Sequence, residues 1–339
     1  MRAPCGRRGS RYTVPVPADS PERGGGPAPR PPRIHYGSPV VARAAKRLGR
    51  VFDSLGALPY LNEPLLRDFL YFRELFEESL GRIDRKVSEG RLAPLDLRGF
   101  PQEIHYNLRR ARIGVFIGSF DPFQMTHLAT ALRFLASDSS EADAVFVIPE
   151  GAFDRRKPGK TEYRFRFEVL KRQIAGVLDP LVVPLDIGEG ADTIEIVRRL
   201  LALHPGAALR LTHLIGSDVL PIAARLLPDD LRAWGETAER FGIDFDFSLH
   251  VARRTKKAVT SPLARAVRNQ GVRLAVDRTL IGTPSSSAFR TEGAISLVLP
   301  TEDILSRLEL LFRYGMYRPW SGSPPGSGES APPGPDYEI

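Results

Sequence analysis

A single cysteine, Cys5, stands among 339 residues. That excludes a disulfide within the chain and a cysteine cage for a metal, so any metal would need oxygen or imidazole ligands. His35, His105, His204, His213 and His250 show no helical H-x-x-x-H spacing and are read as structural or surface residues. No apolar run approaches the ~18 residues needed to cross a bilayer. Met1 to Arg8 has no apolar stretch that could act as a secretory signal core, and the expected setting is cytoplasmic, away from membranes. A long block of one charge sign is missing too. The formal net charge of +8 is dispersed in short clusters such as Arg253-Arg254 and Lys256-Lys257. This balance suits anionic, phosphate-rich substrates, and nucleic acid is not the expected partner.

The 42% hydrophobic content supports a buried core. Residues 1–39, with Gly24-Gly25-Gly26 and Pro31-Pro32 among few apolar side chains, read as a disordered basic tail, and residues 321–339 read the same way. Over 40–110 apolar residues recur at helical spacing, as in Val41, Ala44, Leu48 and Phe52, then Phe69, Phe72, Leu75 and Phe76. A helical region of two or three helices is expected there, packed on the main domain. From 111 to 320 the pattern alternates. Strands are predicted at Ile113–Ile117, Ala144–Ile148, Leu181–Leu185, Leu209–Ile215, Phe247–Val251 and Val272–Val276. Helices are predicted at Leu128–Leu135, Tyr163–Ile174, Thr193–Leu203, Leu220–Leu227 and Pro262–Asn269. Parallel strands need crossover connections, which helices supply, so the fold class is a doubly wound parallel α/β sheet with an α-helical N-terminal extension. In such sheets ligands bind beyond the carboxyl ends of the strands.

After the first strand comes Gly118-Ser119-Phe120-Asp121-Pro122-Phe123-Gln124-Met125-Thr126-His127, leading into a helix. A strand, a small-residue turn and a helix N-terminus set backbone N–H groups where a phosphate can sit. The loop is neither the glycine-spaced dinucleotide fingerprint nor a lysine-bearing NTPase loop. It resembles instead the G-x-F-[DN]-P loop of the H-x-G-H nucleotidyltransferases, with Gly118, Phe120, Asp121, Pro122 and His127 on the pattern. Gln124 and Thr126 replace the first His and the Gly of the bacterial motif. Eukaryotic-type mononucleotide adenylyltransferases depart from it at the same two places. The resemblance implies that His127 hydrogen-bonds the α-phosphate, with Gln124 as a neutral donor to phosphate oxygen.

Covering about residues 112–318, the resemblance extends to further segments. Pro149 to Pro158 holds a basic loop in which Lys157 would meet phosphates, followed by a helix with Arg166; a solvated basic turn is the alternative. Asp192-Thr193 resembles the segment whose Thr lines the pyridine pocket, and either residue also serves as a helix N-cap. Gly216-Ser217-Asp218 looks like the family's G-[AS]-D, with Asp218 on ribose hydroxyls or capping a helix. Trp234 is matched to the pyridine-stacking Trp only across an insertion, with core packing as the other reading. Arg253 ends a strand like the family's V-x-x-R. Ser285-Ser286-Ser287-x-x-Arg290 is similar to its S-S-[ST]-x-[IF]-R anion site. By resemblance, ATP contacts Gly118, Ser119, Phe120, Gln124, His127, Gly216, Asp218, Ser285, Ser286, Ser287 and Arg290. Catalysis rests on His127, Lys157 and Arg290, and the mononucleotide meets Thr193, Trp234 and Arg253. No protein metal site is expected; Mg2+ would arrive with ATP. The family nearest in pattern is nicotinate or nicotinamide mononucleotide adenylyltransferase. Phosphopantetheine adenylyltransferase and a weakened nucleotide-binding regulator are the rivals, and acceptor preference and self-association stay open.

Overall fold

The computed structural model describes residues 35–55, 63–95, 109–152, 160–175, 177–253 and 259–281. Six strands form one sheet: β1 (Arg110–Gly118), β2 (Ala144–Pro149), β3 (Val182–Pro184), β4 (Ala208–Gly216), β5 (Asp244–Arg253) and β6 (Arg273–Leu280). Their order is β3-β2-β1-β4-β5-β6, and every neighbouring pair is parallel. This is the doubly wound arrangement, and the direction of winding reverses between β1 and β4. The central strands read as nearly continuous apolar runs because both faces are covered.

One face carries α3 (Met125–Ala136) and α4 (Tyr163–Ile174), and the other carries α5 (Thr193–Ala202), α6 (Leu220–Arg240) and α7 (Ser261–Arg268). Gly114 lies in mid-strand, where a Cβ would fall 2.5 Å from Phe134 Cε1. Only glycine there lets α3 seat its Phe134 ring on β1.

The N-terminal helices α1 (Pro39–Leu55) and α2 (Glu63–Ser88) add a layer over α3 and share its apolar core through Phe72, Phe76, Leu80 and Ile83. The Asp84 carboxylate accepts from the amides of Gly37 and Ser38 at 2.9 and 2.7 Å, satisfying donors at the start of α1. Lys86, 3% exposed, donates to the carbonyls of Leu135, Ser137 and Ser140 at 2.7–2.9 Å. Those oxygens lie at the negative end of α3, so the cation answers both unsatisfied acceptors and the helix dipole.

All six predicted strands are present, and the five predicted helices of the sheet domain fall within a few residues of their expected bounds, except at α6. That helix was expected to stop at Leu227, before Pro228, yet it runs to Arg240. An internal proline costs about 3 kcal/mol. Beyond it, Trp234, Thr237 and Ala238 are buried, and their packing offsets that cost. Of the tail predicted at 1–39, residues 1–34 lie outside the described residues, as does the tail predicted at 321–339, while Pro39 already opens α1.

Two tests follow from the packing. Lys86→Ala leaves three carbonyls without their donor and should lower stability by about 2–3 kcal/mol in denaturant unfolding; a loss under 0.5 kcal/mol would show that the lysine does not hold α2 on α3. His204, His213 and His250 are 1%, 8% and 3% exposed, and burial lowers each to about 4. A folded-state value below the unfolded ~6.5 means protons favour the unfolded chain. Stability is therefore full above pH 6.5 and declines as pH falls toward 4, by up to about 3 kcal/mol per residue. Melting temperature against pH should show this decline, and His213→Leu should make it shallower; an unchanged slope would refute the assignment.

Candidate functional site

Gly118 and Gly216 end β1 and β4, the strands flanking the reversal, and the loops that follow them bound the crevice where ligands bind in such sheets. The loop after β1 is held rigidly. Phe120 adopts φ +40°, a left-handed conformation that costs a bulky residue about 1–3 kcal/mol. Its ring is buried beneath Gly118, where a Cβ would lie 3.2 Å from Phe120 Cζ, and packs edge-on to Phe116 and His127. Asp121, fully buried, accepts from the Thr161 amide and hydroxyl at 2.8 and 2.5 Å. Gln173 Nε2 donates to the Phe123 carbonyl at 3.0 Å.

Arg166 is the centre of this clamp. It is 1% exposed and donates to three backbone carbonyls, those of Thr161 (2.8 Å), Glu150 (2.9 Å) and Ser119. The helix matched to the family through Arg166 thus spends this guanidinium on loop carbonyls. The loops after β2 and β3 are stitched as well. Gly151 N donates to Gly188 O at 2.8 Å, and a Cβ at Gly188 would lie 1.9 Å from Pro149 O, so that crossing requires glycine.

His127 stands in the first turn of α3, partly exposed, between Phe116, Phe120 and Phe123 with ring centroids 5.1–5.8 Å away. Its Nδ1 accepts the Gln124 backbone N–H at 3.0 Å. A ring nitrogen that accepts an amide proton carries none of its own, so the imidazole proton resides on Nε2. Beside it, Gln124 is fully buried with neither side-chain amide atom hydrogen-bonded, and Thr126 Oγ1 is likewise buried without a partner. Orphaned polar atoms cost about 1–3 kcal/mol each. Two of the three, Gln124 Nε2 and Thr126 Oγ1, are donors at a helix N-terminus where the dipole is positive, which is chemistry suited to an anion, whereas Gln124 Oε1 can only accept.

The other expected residues divide. Asp218 is exposed in the turn after β4, and α6 begins with Val219 at its N-cap, so Asp218 is not the cap. Thr193 opens α5 directly after the N-cap Asp192, whose Oδ1 accepts from Glu195 N at 2.9 Å. Arg253 ends β5 at the same edge of the sheet. Trp234 does not line an opening. It is 1% exposed, donates from Nε1 to the Ile194 carbonyl at 3.1 Å, and packs on Phe247 at 4.8 Å. The expected ring-stacking wall is therefore core, because α6 runs past Pro228 and carries the indole below the crevice. Lys157, Ser285, Ser286, Ser287 and Arg290 lie outside the described residues.

No family model matches the chain. A curated relative from Gemmatimonas aurantiaca, described as a probable nicotinate-nucleotide adenylyltransferase, is 34% identical over 122 residues, which cover 34% of this chain and 53% of the relative. The chain thus spans about half the length of the relative it matches. Two solved structures of Plasmodium falciparum nicotinic acid mononucleotide adenylyltransferase, complexed with APC and with NaAD, are 16% identical and cover 61% of this chain and 97% of theirs, with TM-scores of 0.40 and 0.42. The chain is similar to nicotinate-nucleotide adenylyltransferases. Its fold class rests on its own strand order.

Sequence reasoning missed two supports of the site. One is the clamp by Arg166 and Thr161, whose only signal was an Arg at a core-facing helical position. The other is Asp230, 8% exposed within α6, signalled by an acid at the spacing of buried Leu227 and Trp234. Replacing Arg166 by Ala should free three carbonyls and loosen both loops. Melting temperature should fall by several degrees, and nucleotide affinity by at least tenfold in calorimetry. Unchanged nucleotide affinity would show that the clamp does not shape the site.

Proposed function

We propose that the chain is an adenylyltransferase that moves AMP from ATP to a pyridine mononucleotide, giving a dinucleotide and pyrophosphate. The observation that carries the reading is the first turn of α3, where a neutral His127 with its proton on Nε2 adjoins the orphaned polar atoms of Gln124 and Thr126. The similarity to the Gemmatimonas aurantiaca protein supports it independently.

An oxygen of the mononucleotide phosphate attacks the α-phosphorus of ATP. As that P–O bond forms, the bond from the α-phosphorus to the bridging oxygen breaks, and pyrophosphate leaves with the electron pair. Positioning and charge stabilisation supply most of the catalysis in such a displacement, and no covalent enzyme intermediate is needed. In this reading His127 Nε2–H donates to a non-bridging α-phosphate oxygen. Gln124 Nε2, Thr126 Oγ1 and the amides that follow Gly118 take the β- and γ-phosphates. Asp218, beyond Gly216, accepts from ribose hydroxyls, and Thr193 faces the acceptor. Lys157 and Arg290, with Ser285 to Ser287, would add phosphate contacts. Among the described residues no group of three or more His, Cys, Asp or Glu could hold a metal. Magnesium, expected to arrive with ATP, would be bound by phosphate and water and neutralise the triphosphate.

His127→Ala should lower kcat at least a hundredfold in a pyrophosphate-release assay, with melting temperature near that of the parent. Near-normal turnover would refute the role of His127. Product formed only with phosphopantetheine would overturn the choice of acceptor, and ATP binding without pyrophosphate release with any acceptor would favour a regulatory protein.

A further inference from the structure

The outer helix α1 packs on α2, as α2 packs on α3. Its Val41, Ala44, Leu48 and Phe52 are buried in the core they share with those helices. Away from that core stand Arg43, Lys46, Arg47 and Arg50, each exposed, at the i, i+3, i+4 and i+7 spacing that sets side chains on one helical face. In the linear sequence other residues separate the four and hide them as a block. The helix gathers them into one cationic stripe about 10 Å long.

Other helices answer their surface cations one turn away, as in Arg73–Glu77, Arg82–Glu78, Arg172–Glu168 and Arg199–Glu195. α1 does not. Its single acid is Asp53, whose carboxylate pairs with Arg73 of α2 at 3.2 Å. Among the described residues, none of the four stripe cations forms an ion pair with a carboxylate. Arg43 with Arg47, and Lys46 with Arg50, are instead like charges at i,i+4, an arrangement that weakens a helix. An anion brought from outside relieves that repulsion.

We propose that this face of α1 binds the phosphate backbone of a nucleic acid, without reading its bases. Three of the four cations are arginines, whose planar forks match phosphate oxygens. A stripe of about 10 Å spans about three phosphates of one duplex strand at ~3.4 Å each. A lipid surface fits less well, because a surface helix holds to lipid by burying its apolar face, and α1 has committed that face to α2. The stripe carries no aromatic side chain on which a base could stack, so the contact is electrostatic and sequence-independent. It needs neither His127 nor a nucleotide in the crevice, and it stands apart from the adenylyltransferase reading.

The test is fluorescence anisotropy of the full chain with a labelled RNA strand and a labelled DNA duplex, each about 20 nucleotides long and of mixed sequence, over about 50 to about 200 mM salt. Combining Arg43→Gln, Lys46→Gln, Arg47→Gln and Arg50→Gln should weaken binding to at least one of the two about tenfold or more at the lower salt. The slope of log K against log salt should become shallower by about 3, the counterion share of four phosphate contacts. Melting temperature should stay at or above that of the parent, since like charges are removed. A control with Gln at the exposed Arg225, Arg240, Arg265 and Arg268 removes the same charge elsewhere and should leave the slope within about 1 of the parent's. Equal losses in the two variants would reduce the effect to net charge and overturn the stripe. Parent-like binding in the stripe variant would place the contact elsewhere in the chain and overturn it too. A parent that binds neither nucleic acid at the lower salt, or that holds phosphatidylserine vesicles more tightly than either, overturns nucleic acid as the partner. If the fourfold variant fails to fold, Arg43→Gln with Arg47→Gln, expected to change the slope by about half as much, decides in the same way.

Discussion

The site depends on a buried cation, the Arg166 guanidinium, bonded to the carbonyls of Ser119, Glu150 and Thr161. Burying a guanidinium costs several kcal/mol unless its N–H groups are satisfied, and carbonyl dipoles satisfy them here. The three oxygens belong to the loop after β1, the loop after β2 and the segment entering α4. One side chain therefore sets the spacing of three backbone segments that propensity alone would leave independent.

The same device recurs at the opposite end of α3. Lys86 gathers the carbonyls of Leu135, Ser137 and Ser140, so the helix that presents His127 is held at its far end by α2 and before its first turn by α4. Arg133 adds a paired contact to Asp277 of β6 at 2.9 and 3.0 Å. A helix fixed at three points can hold strain in the turn that enters it. Phe120 stores that strain in its backbone and recovers it through a ring buried against Phe116, Phe123 and His127. The imidazole is thereby oriented by the packing of a strained residue as well as by its hydrogen bond to Gln124.

How far the chain could be read in advance follows from which interactions are local. The six strands were legible because burial on both faces makes Ala144–Pro149 or Ile113–Ile117 continuous apolar runs. The helix from Tyr163 to Ile174 was legible to the residue. The strand-turn-helix passage from β1 into α3 was legible because its three parts are consecutive in sequence. What escaped depends on partners far away in sequence. Arg166 was matched only as part of a basic helix, because the three carbonyls it holds lie 5, 16 and 47 residues away. Trp234 looked available for stacking because nothing local shows that Ile194, 40 residues earlier, takes its N–H. The helix was expected only as far as Leu227 because the packing that carries it through Pro228 is tertiary.

That proline ties the last two misreadings together. Had α6 ended at Leu227, Trp234 would fall in a loop and could turn toward the crevice, as the family pattern implies. Continuing the helix instead commits the indole to the angular position of Leu227 and Leu220, the buried side, one turn below Asp230. The buried face of α6 is then completed by Leu220, Leu227, Asp230 and Trp234, and the indole is spent on Phe247 and on the Ile194 carbonyl in the first turn of α5 rather than on a ligand.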